Sequence, residues 1–281
     1  MAASTPSLVN LPPGSERVTD ADEEVFLLYT LLSSSSTGGE LESGLGFVDN
    51  KKGEITVSFD LVPPVRERHR RRRSSGRMDT EGKHVEVILA QDLGGLRNRK
   101  GDTGSVLWRA SMHLAQQLLQ EHYYPPSPPA AALLHPTSLA TSHILELGSG
   151  TGLLSVLLSP LVRKYTATDI PPLLPLLGKN ADSNQVSEKV AVEELDWVTL
   201  EATLSYLCRP PVPSPDAPSE QRRPTALVMS ELRDPEVMRE FLALWLELDK
   251  DEGGWEVWRA GEGVVRGTRC VIWVGWRVGG V

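Results

Sequence analysis

The feature of the sequence that most constrains its fold is a glycine-rich turn, Gly148-Ser-Gly150-Thr-Gly152. The turn follows a short apolar run at 143–147, typical of a strand, and precedes helically spaced apolar residues at 153–161. Glycines at such a turn let the backbone bend sharply and approach a ligand closely, and the helix start offers free N–H groups. In α/β proteins, ligands bind at this edge of a parallel sheet. The turn therefore predicts an α/β fold with a ligand site at 148–152.

Strand-like and helix-like segments alternate around this turn and predict a doubly wound, Rossmann-like parallel sheet. The periodicity predicts further strands at 165–169, 190–195, 225–230, 255–259 and 270–278, and helices at 23–32, 104–120, 173–184 and 235–248. Alternating apolar and polar residues at 53–61 and 85–93 predict a small N-terminal β extension. The predicted units are a flexible N-terminus (1–22), the extension (23–102) with an arginine-rich insertion (66–77), and a main domain (103–281) with a proline-rich linker (208–224).

Composition narrows the class of protein. The chain has 281 residues, is 40% hydrophobic and carries a formal net charge of −8, which fits a globular protein and argues against wholesale nucleic-acid binding. Its two cysteines, Cys208 and Cys270, form no Cys-x-x-Cys pair, so we expect no disulfide framework and no thiolate metal site. No apolar run approaches membrane-spanning length, and Met1 to Pro13 lacks the pattern of a secretory signal. We expect a soluble, cytoplasmic protein without membrane contact.

One basic cluster departs from the acidic balance. Arg66 to Arg73 places six arginines within eight residues. Such a run is typical of a solvated loop insertion, and clustered arginine is also what phosphate contact or nuclear import requires. A single cluster does not decide between these interpretations.

Acidic residues accompany the glycine turn at successive strand ends. Glu146 precedes the turn, Asp169 ends the next predicted strand, and Asp196-Trp197 follows the third. A carboxylate in the place of Asp169 can accept hydrogen bonds from both hydroxyls of a ribose. The alternative is that Asp169 and Asp196 are ordinary loop carboxylates. The Gly-x-Gly-x-Gly spacing differs from the Gly-x-Gly-x-x-Gly of dinucleotide sites and disfavours a nicotinamide oxidoreductase.

With Glu146 before it, the turn resembles motif I of class I S-adenosylmethionine-dependent methyltransferases, in which the acid faces the amino-acid end of the cofactor. The Thr-Gly-x-x-x-Trp element from Thr103 to Trp108 resembles the family-16, seven-β-strand protein-lysine methyltransferases. There the tryptophan borders the cofactor pocket; the other interpretation of Trp108 is a core residue. The resemblance implies S-adenosyl-L-methionine as cofactor. It also implies contacts from a set of residues: Trp108, Glu146, Gly148, Ser149, Gly150, Asp169 and Trp197.

Flanking segments narrow the resemblance to the fungal ribosomal lysine methyltransferases and extend it over most of residues 23–278. These segments are Phe26-Leu-Leu-Tyr29, Gly44-Leu-Gly46-Phe-Val48, Leu195-Asp-Trp197, Glu231-Leu-Arg233 and Trp273-Val-Gly-Trp276. The resemblance implies monomethylation of a lysine in a large-subunit ribosomal protein. It also leaves room for a ribosomal RNA contact through Arg66–Arg73.

The chain departs from that pattern at one place. Related enzymes have a fourth strand after the Asp-Trp element, running into an Asp-x-x-Tyr-type segment at the mouth of the active site. Between Trp197 and Thr225 we find no such strand, and 226–230 resembles the family's fifth strand. A parallel sheet that loses an interior strand must close the gap or leave backbone groups unpaired, at about 1–3 kcal/mol for each buried group. The sequence therefore predicts a missing interior segment.

We expect residues 225–231 to take the fourth-strand place, which would put Met229 near the cofactor. The segment expected to hold the substrate lysine is absent, so no catalytic base is named, and Glu231 is a candidate replacement acid. Three functions stay open: an active protein-lysine methyltransferase, a cofactor-binding but catalytically impaired relative, and a small-molecule methyltransferase. We expect Gly150→Val to block the ligand and leave the fold largely intact.

Overall fold

The computed structural model describes residues 8–34, 46–64, 82–98, 103–196, 200–209, 224–261, 265 and 268–278. The strands are β1 (Glu16–Val18), β2 (Glu54–Leu61), β3 (Lys83–Ala90), β4 (His143–Leu147), β5 (Lys164–Asp169), β6 (Val190–Glu194), β7 (Ala226–Glu231), β8 (Trp255–Arg259) and β9 (Cys270–Arg277). The helices are α1 (Ala21–Ser34), α2 (Leu93–Asn98), α3 (Arg109–Tyr123), α4 (Pro136–Leu139), α5 (Leu153–Leu158), α6 (Leu174–Ser183), α7 (Leu200–Leu207) and α8 (Pro235–Glu247). Short 3-10 helices lie at Pro129–Ala131, Ser159–Leu161, Pro171–Leu173 and Lys250–Glu252.

The strands around the glycine turn form a parallel sheet in the order β4-β5-β6. The middle strand is buried from Tyr165 to Asp169, while α5 and α6 make the crossover connections. Parallel strands require such crossovers, and their hydrophobic faces must be covered by helices. This arrangement confirms the α/β, Rossmann-like fold predicted from the sequence.

The C-terminal strands form a second sheet, in the order β1-β8-β9-β7, and every pair in it is antiparallel. The sequence predicted a parallel sheet, and the C-terminal strands depart from that pattern. The reason is the short connection between β8 and β9 at 260–269, because a parallel return needs a crossover of about a dozen residues or more. All eight residues of β9 are buried, so this strand forms the centre of the second half.

The N-terminal segment 1–22 was predicted to be flexible, but its described part, residues 8–22, belongs to the fold. Strand β1 pairs with β8, and the buried Arg259 forms ion pairs with both Glu16 and Glu24. The indole of Trp273 also donates to Glu24 Oε1 at 3.0 Å. Composition misleads here because ion pairs and backbone pairing hold the segment, and its apolar residues Val9, Val18 and Ala21 are buried in the hydrophobic clusters of the fold.

The N-terminal extension is an antiparallel hairpin of β2 and β3, whose register runs from Glu54 opposite Ala90 to Leu61 opposite Lys83. Strand β2 alternates exposed and buried residues along its whole length, as its period-2 pattern predicts. The hairpin packs on α3 and α6. The predicted arginine-rich insertion, 66–77, lies outside the described residues.

The two main sheets do not pair with each other anywhere in the described chain. Strand β4 pairs with β5 only, and β7 pairs with β9 over six residues, from Ala226 opposite Gly275 to Glu231 opposite Cys270. Residues 225–231 therefore do not take the fourth-strand place beside β4: β7 pairs with β9 along one edge and forms no ladder with β4 among the described residues. Leu145 on β4 is 36% exposed, unlike a residue of an interior strand. The structure thus retains the predicted gap.

A shared hydrophobic core joins the two sheets across this gap. Ile144 of β4, Met229 of β7 and buried residues of α3 and β9 all pack in one cluster. A second cluster, built around Trp245 and Trp273, lies on the other face of the C-terminal sheet and includes Leu204 of α7. None of the helices that the structure describes combines the length and apolar character needed to cross a membrane.

Candidate functional site

A cavity of about 360 Å³ opens where β4, β5 and β6 end. Its walls come from residues 103–111, the glycine turn and the residues that follow β5 and β6. Six of the residues predicted from the sequence line it together: Trp108, Glu146, Gly148, Ser149, Gly150 and Asp169. The strand-end argument thus leads to one concave site, of the kind that small ligands occupy in α/β proteins.

The glycine turn has left-handed backbone conformation at each of its three glycines. The φ angles of Gly148, Gly150 and Gly152 are +65°, +55° and +76°. Residues with a Cβ rarely adopt such angles, so glycine is required for this path. The Ser149 N–H donates to Thr168 O at 3.0 Å, which ties the turn to the end of β5.

Asp169 ends β5 and holds the same turn in place. Its Oδ2 accepts from the Gly150 N–H at 2.7 Å, and its Oδ1 accepts from the Ile170 N–H at 2.8 Å. The residue is buried, yet it lines the cavity. Each carboxylate oxygen can accept more than one hydrogen bond, so Asp169 can fix the turn and still accept from a ligand hydroxyl.

Glu146 lies on the cavity wall below the turn. Burial raises the pKa of its carboxyl group from 4.5 to about 7, opposed first by the hydrogen bond from Tyr165. The Tyr165 hydroxyl donates to Glu146 Oε2 at 2.8 Å, and burial raises the pKa of Tyr165 as well. The nearby negative charge of Asp169 raises the pKa of Glu146 further. Near neutral pH the carboxyl group is thus close to its midpoint and sensitive to a bound charge.

Ser149 provides a test of whether the cavity fits a polar ligand. Its hydroxyl oxygen is buried and forms no hydrogen bond of normal geometry in the described chain, although it lies close enough to Glu146 to lower that pKa slightly. An unsatisfied buried hydroxyl costs about 1–3 kcal/mol. A buried hydroxyl on a residue that lines the cavity, close to a carboxylate, is a group that a polar ligand would satisfy.

The segment from Thr103 to Trp108 packs against the glycine turn. The carbonyl oxygen of Gly104 would lie 2.9 Å from a Cβ added at Gly150. The sequence predicted that Gly150→Val would act by blocking the ligand and would spare the fold. In the structure a side chain there first strikes the backbone of this segment, so the substitution must also disturb local packing.

Trp108 stands at the mouth of the cavity, before the first turn of α3. The predicted helix 104–120 begins only at Arg109, because Trp108 is extended, with φ −97° and ψ 143°. Its indole N–H donates to Thr103 O at 2.6 Å, and the ring lies edge-on to Phe47 with centroids 4.7 Å apart. The half-buried ring therefore borders the cavity instead of lying within the core.

Three other residues were predicted to lie near the ligand, and the structure describes two of them. Asp196 lines the cavity, as its place after the third strand predicts. Trp197 lies outside the described residues. Met229 does not line the cavity: it packs in the shared core, because β7 pairs with β9 and not with β4.

Sequence reasoning missed Asn180, a fully buried residue of α6. Its amide donates to Thr151 O in the turn at 2.9 Å and to Ala90 O in β3 at 3.0 Å. Its Oδ1 accepts from the Ala90 N–H at 2.8 Å. Asn184, one helical turn later, bonds Ile88 in the same way. Asn180 itself was the available signal, since asparagine is a weak helix former and its presence inside a helix indicates a specific bond. Asn184 is the residue just after α6.

Comparison with known proteins gives a family match over the part of the chain that forms the cavity. Residues 87–206 match the model of a protein family described as lysine methyltransferase, and this stretch contains most of the cavity wall. A Schizosaccharomyces pombe protein named diaminohydroxyphosphoribosylamino-pyrimidine deaminase is 31% identical over 181 residues, which are 64% of this chain and 35% of the relative. The chain thus spans about a third of that relative's length. The family match, together with the mixed α/β fold, supports a methyltransferase.

Proposed function

We propose that the chain is an S-adenosylmethionine-dependent protein-lysine N-methyltransferase. The observation that carries the proposal is the cavity under the glycine turn, which is lined by acids from three successive strand ends: Glu146, Asp169 and Asp196. The family matched at 87–206 is one of lysine methyltransferases, and enzymes of this kind typically use S-adenosylmethionine.

The residues present fit the cofactor. Asp169 would accept hydrogen bonds from the ribose hydroxyls of the cofactor. The backbone at Gly148 and Gly150 would lie against the cofactor, and Asp196 would lie beside its adenine. Ser149 and Glu146 would face its charged amino-acid end. An ammonium group near Glu146 would lower the pKa of that carboxyl group and favour its ionised form.

When bound, the cofactor would supply an activated methyl group on a sulfonium. The chain's own task is then to position the acceptor amine and exclude water, which is how enzymes reduce the barrier of such a displacement. The lysine must also reach the site unprotonated, and burial in the cavity mouth favours the neutral amine.

For the acceptor, we propose a lysine of a large-subunit ribosomal protein, monomethylated in the cytoplasm. The support is the resemblance of the flanking segments, including Phe26-Leu-Leu-Tyr29 and Glu231-Leu-Arg233, to fungal ribosomal lysine methyltransferases. A contact of Arg66–Arg73 with ribosomal RNA would fit the same acceptor.

The test begins with a calorimetric titration of S-adenosylhomocysteine and continues with transfer of a tritiated methyl group to large-subunit ribosomal proteins. Binding followed by labelling of one ribosomal protein supports the proposal. Binding with labelling of metabolites only would make the acceptor a small molecule. Absence of binding would contradict the cofactor assignment.

A second candidate is a relative that binds the cofactor but transfers methyl groups poorly. It is favoured by the unpaired facing edges of β4 and β7 within the described chain and by the exposure of Leu145. Sequencing the transcript across codons 198–225 tests this candidate. An intact longer reading frame there would restore the interior strand and would favour the active protein-lysine methyltransferase over this second candidate.

The deaminase named for the relative has no support in this chain. Zinc-dependent nucleobase deaminases bind their zinc through a Cys-x-x-Cys pair together with His or a third Cys. The two cysteines here, Cys208 and Cys270, lie far apart in the sequence. The shared stretch is therefore better explained by the methyltransferase fold.

A further inference from the structure

An aromatic and charged cluster lies beside the cavity mouth, where β7 ends. Its members are Phe47, Trp108, Glu231 and Arg233, with Arg109 at its edge. Trp108 belongs both to this cluster and to the cavity wall. A group held by the cluster would therefore lie next to a bound cofactor.

Within the cluster, Arg233 makes the contacts that a cationic ligand would make. Its guanidinium carbon lies 4.5 Å from the centroid of the Trp108 ring, and its Nη2 donates to Glu231 Oε2 at 2.9 Å. An aromatic face and a carboxylate are the two features that bind alkylammonium groups. The Glu231 side chain is only 12% exposed, so its charge is poorly screened and must be paired.

Gly46 makes room for this arrangement. A Cβ at Gly46 would lie 1.5 Å from Arg233 Nη2 and 2.6 Å from Glu231 Oε2. The Arg109 N–H donates to Gly46 O at 2.9 Å, which fixes the segment before Phe47 against the start of α3. The space for the guanidinium is thus bounded by glycine backbone on one side and by Trp108 on another.

The Arg233 side chain is also placed so that another cation can displace it from Trp108 and Glu231. Its side chain is 33% exposed and comes from the residues just after β7, outside any helix or strand. An exposed arginine on an aromatic ring gains only a modest free energy, about 0.5–1 kcal/mol, and can be exchanged for another cation.

We propose that Trp108, Phe47 and Glu231 form the subsite for the cationic side chain of the acceptor, and that Arg233 fills this subsite in the free protein. The inference rests on the proposed function and adds to it the residues that position the acceptor. The acceptor lysine displaces Arg233, aligns its alkyl chain along Trp108 and Phe47, and pairs its ammonium with Glu231.

The experiment uses the full chain saturated with S-adenosylhomocysteine and titrated with butylammonium chloride, a probe with the charge and length of a lysine side chain. Butanol serves as the uncharged control. Arg233→Met removes the cation that lies on Trp108, leaves Arg109 Nη2 at 4.0 Å from Glu231 Oε1, and should tighten butylammonium binding about three- to tenfold. Arg233→Lys keeps a competing charge and should bind like the unchanged protein. Glu231→Gln should weaken binding about threefold or more.

Matched controls come from a surface pair on α8, Arg239 and Glu236, whose Nε and Oε2 atoms lie 3.1 Å apart. Arg239→Met and Glu236→Gln make the same charge changes away from the cavity and should leave butylammonium affinity unchanged. Butanol affinity should not differ among the variants. If Arg233→Met does not fold, as judged by circular dichroism, Arg233→Gln carries the same expectation.

The outcomes separate the inference from the function on which it rests. Failure of S-adenosylhomocysteine to bind refutes the proposed function and the subsite with it. Normal S-adenosylhomocysteine affinity, with butylammonium affinity unchanged in Arg233→Met and in Glu231→Gln, overturns the subsite alone. A parallel change for butanol also overturns it, because the effect would then be apolar packing and not charge.

Discussion

Asn180 offers the sharpest test of how the glycine turn is held. Its side chain is completely buried and connects three backbone groups: Thr151 O in the turn and the N–H and O of Ala90 in β3. Through it the N-terminal hairpin is bonded to the wall of the cavity. Asn180→Ala removes all three bonds at once and leaves no other polar atom in their place.

The magnitude follows from the number of groups left unpaired. A buried backbone donor or acceptor without a partner costs about 1–3 kcal/mol, and neighbouring losses are not fully additive. For three groups we expect the free energy of unfolding to fall by about 3–6 kcal/mol, a large part of the stability of a typical domain. Release of Thr151 should also loosen the turn and weaken S-adenosylhomocysteine binding about three- to tenfold.

Asn184→Ala is the matched control, because Asn184 makes the same kind of bonds to Ile88 but in a place where Ile88 is 45% exposed. Water can replace those bonds, so we expect a loss below about 1.5 kcal/mol. Urea denaturation followed by circular dichroism gives both values, and calorimetry gives the affinities. Equal losses of stability in the two variants would refute the role assigned to Asn180.

Three further predictions concern the cavity wall. The pKa of Glu146 is raised from 4.5 to about 7 in the folded protein. Its contribution to the free energy of unfolding is therefore fully present below pH 4.5 and is lost as the pH rises through 7. This loss is at most about 3 kcal/mol, and Glu146→Gln should abolish that part of the pH dependence of urea unfolding. Gly150→Ala should lower the free energy of unfolding by about 1–3 kcal/mol and weaken S-adenosylhomocysteine binding, because the added Cβ would lie 2.9 Å from Gly104 O and the φ angle is +55°. Gly178→Ala is the control: the space around Gly178 is open, so the free energy of unfolding should rise by about 0.5–1 kcal/mol in the same assay. Asp169→Asn should weaken S-adenosylhomocysteine binding about 10- to 100-fold in calorimetry, because charge-assisted hydrogen bonds are lost, and unchanged affinity would contradict its place in the site.

Much of the fold could be predicted because its strands carry local patterns. The strand β4 was predicted with its observed bounds, and β2 and β8 differ from their predictions by at most one residue. What the sequence could not show was how the strands pair. β1 is only three residues long and has no periodicity, and both β1 and β7 pair with strands that lie far from them in the chain.

The cavity wall was largely predictable for a different reason. The glycine turn and Asp169 carry their own signal, since left-handed backbone demands glycine and strand ends of a parallel sheet meet at one edge. The partners of Asn180 and the contact of Arg233 with Trp108 could not be predicted, because the groups that meet there are distant in sequence. Met229 was placed wrongly near the cofactor because its position depended on a strand pairing that does not form.

The cavity and the proposed acceptor subsite share Trp108, but the acidic residue of the subsite, Glu231, comes from a later part of the chain than the cavity wall. Within the described chain, the residues that line the cavity lie between Thr103 and Asp196, and the bonds from Asp169 and Asn180 to the turn involve no later residue. Glu231 and Arg233 follow the gap left between β4 and β7. A missing interior strand should therefore spare S-adenosylhomocysteine affinity and reduce transfer to the acceptor. A chain that binds S-adenosylhomocysteine normally but labels no protein would place the defect outside the cofactor cavity, whereas loss of both would place it in the cavity.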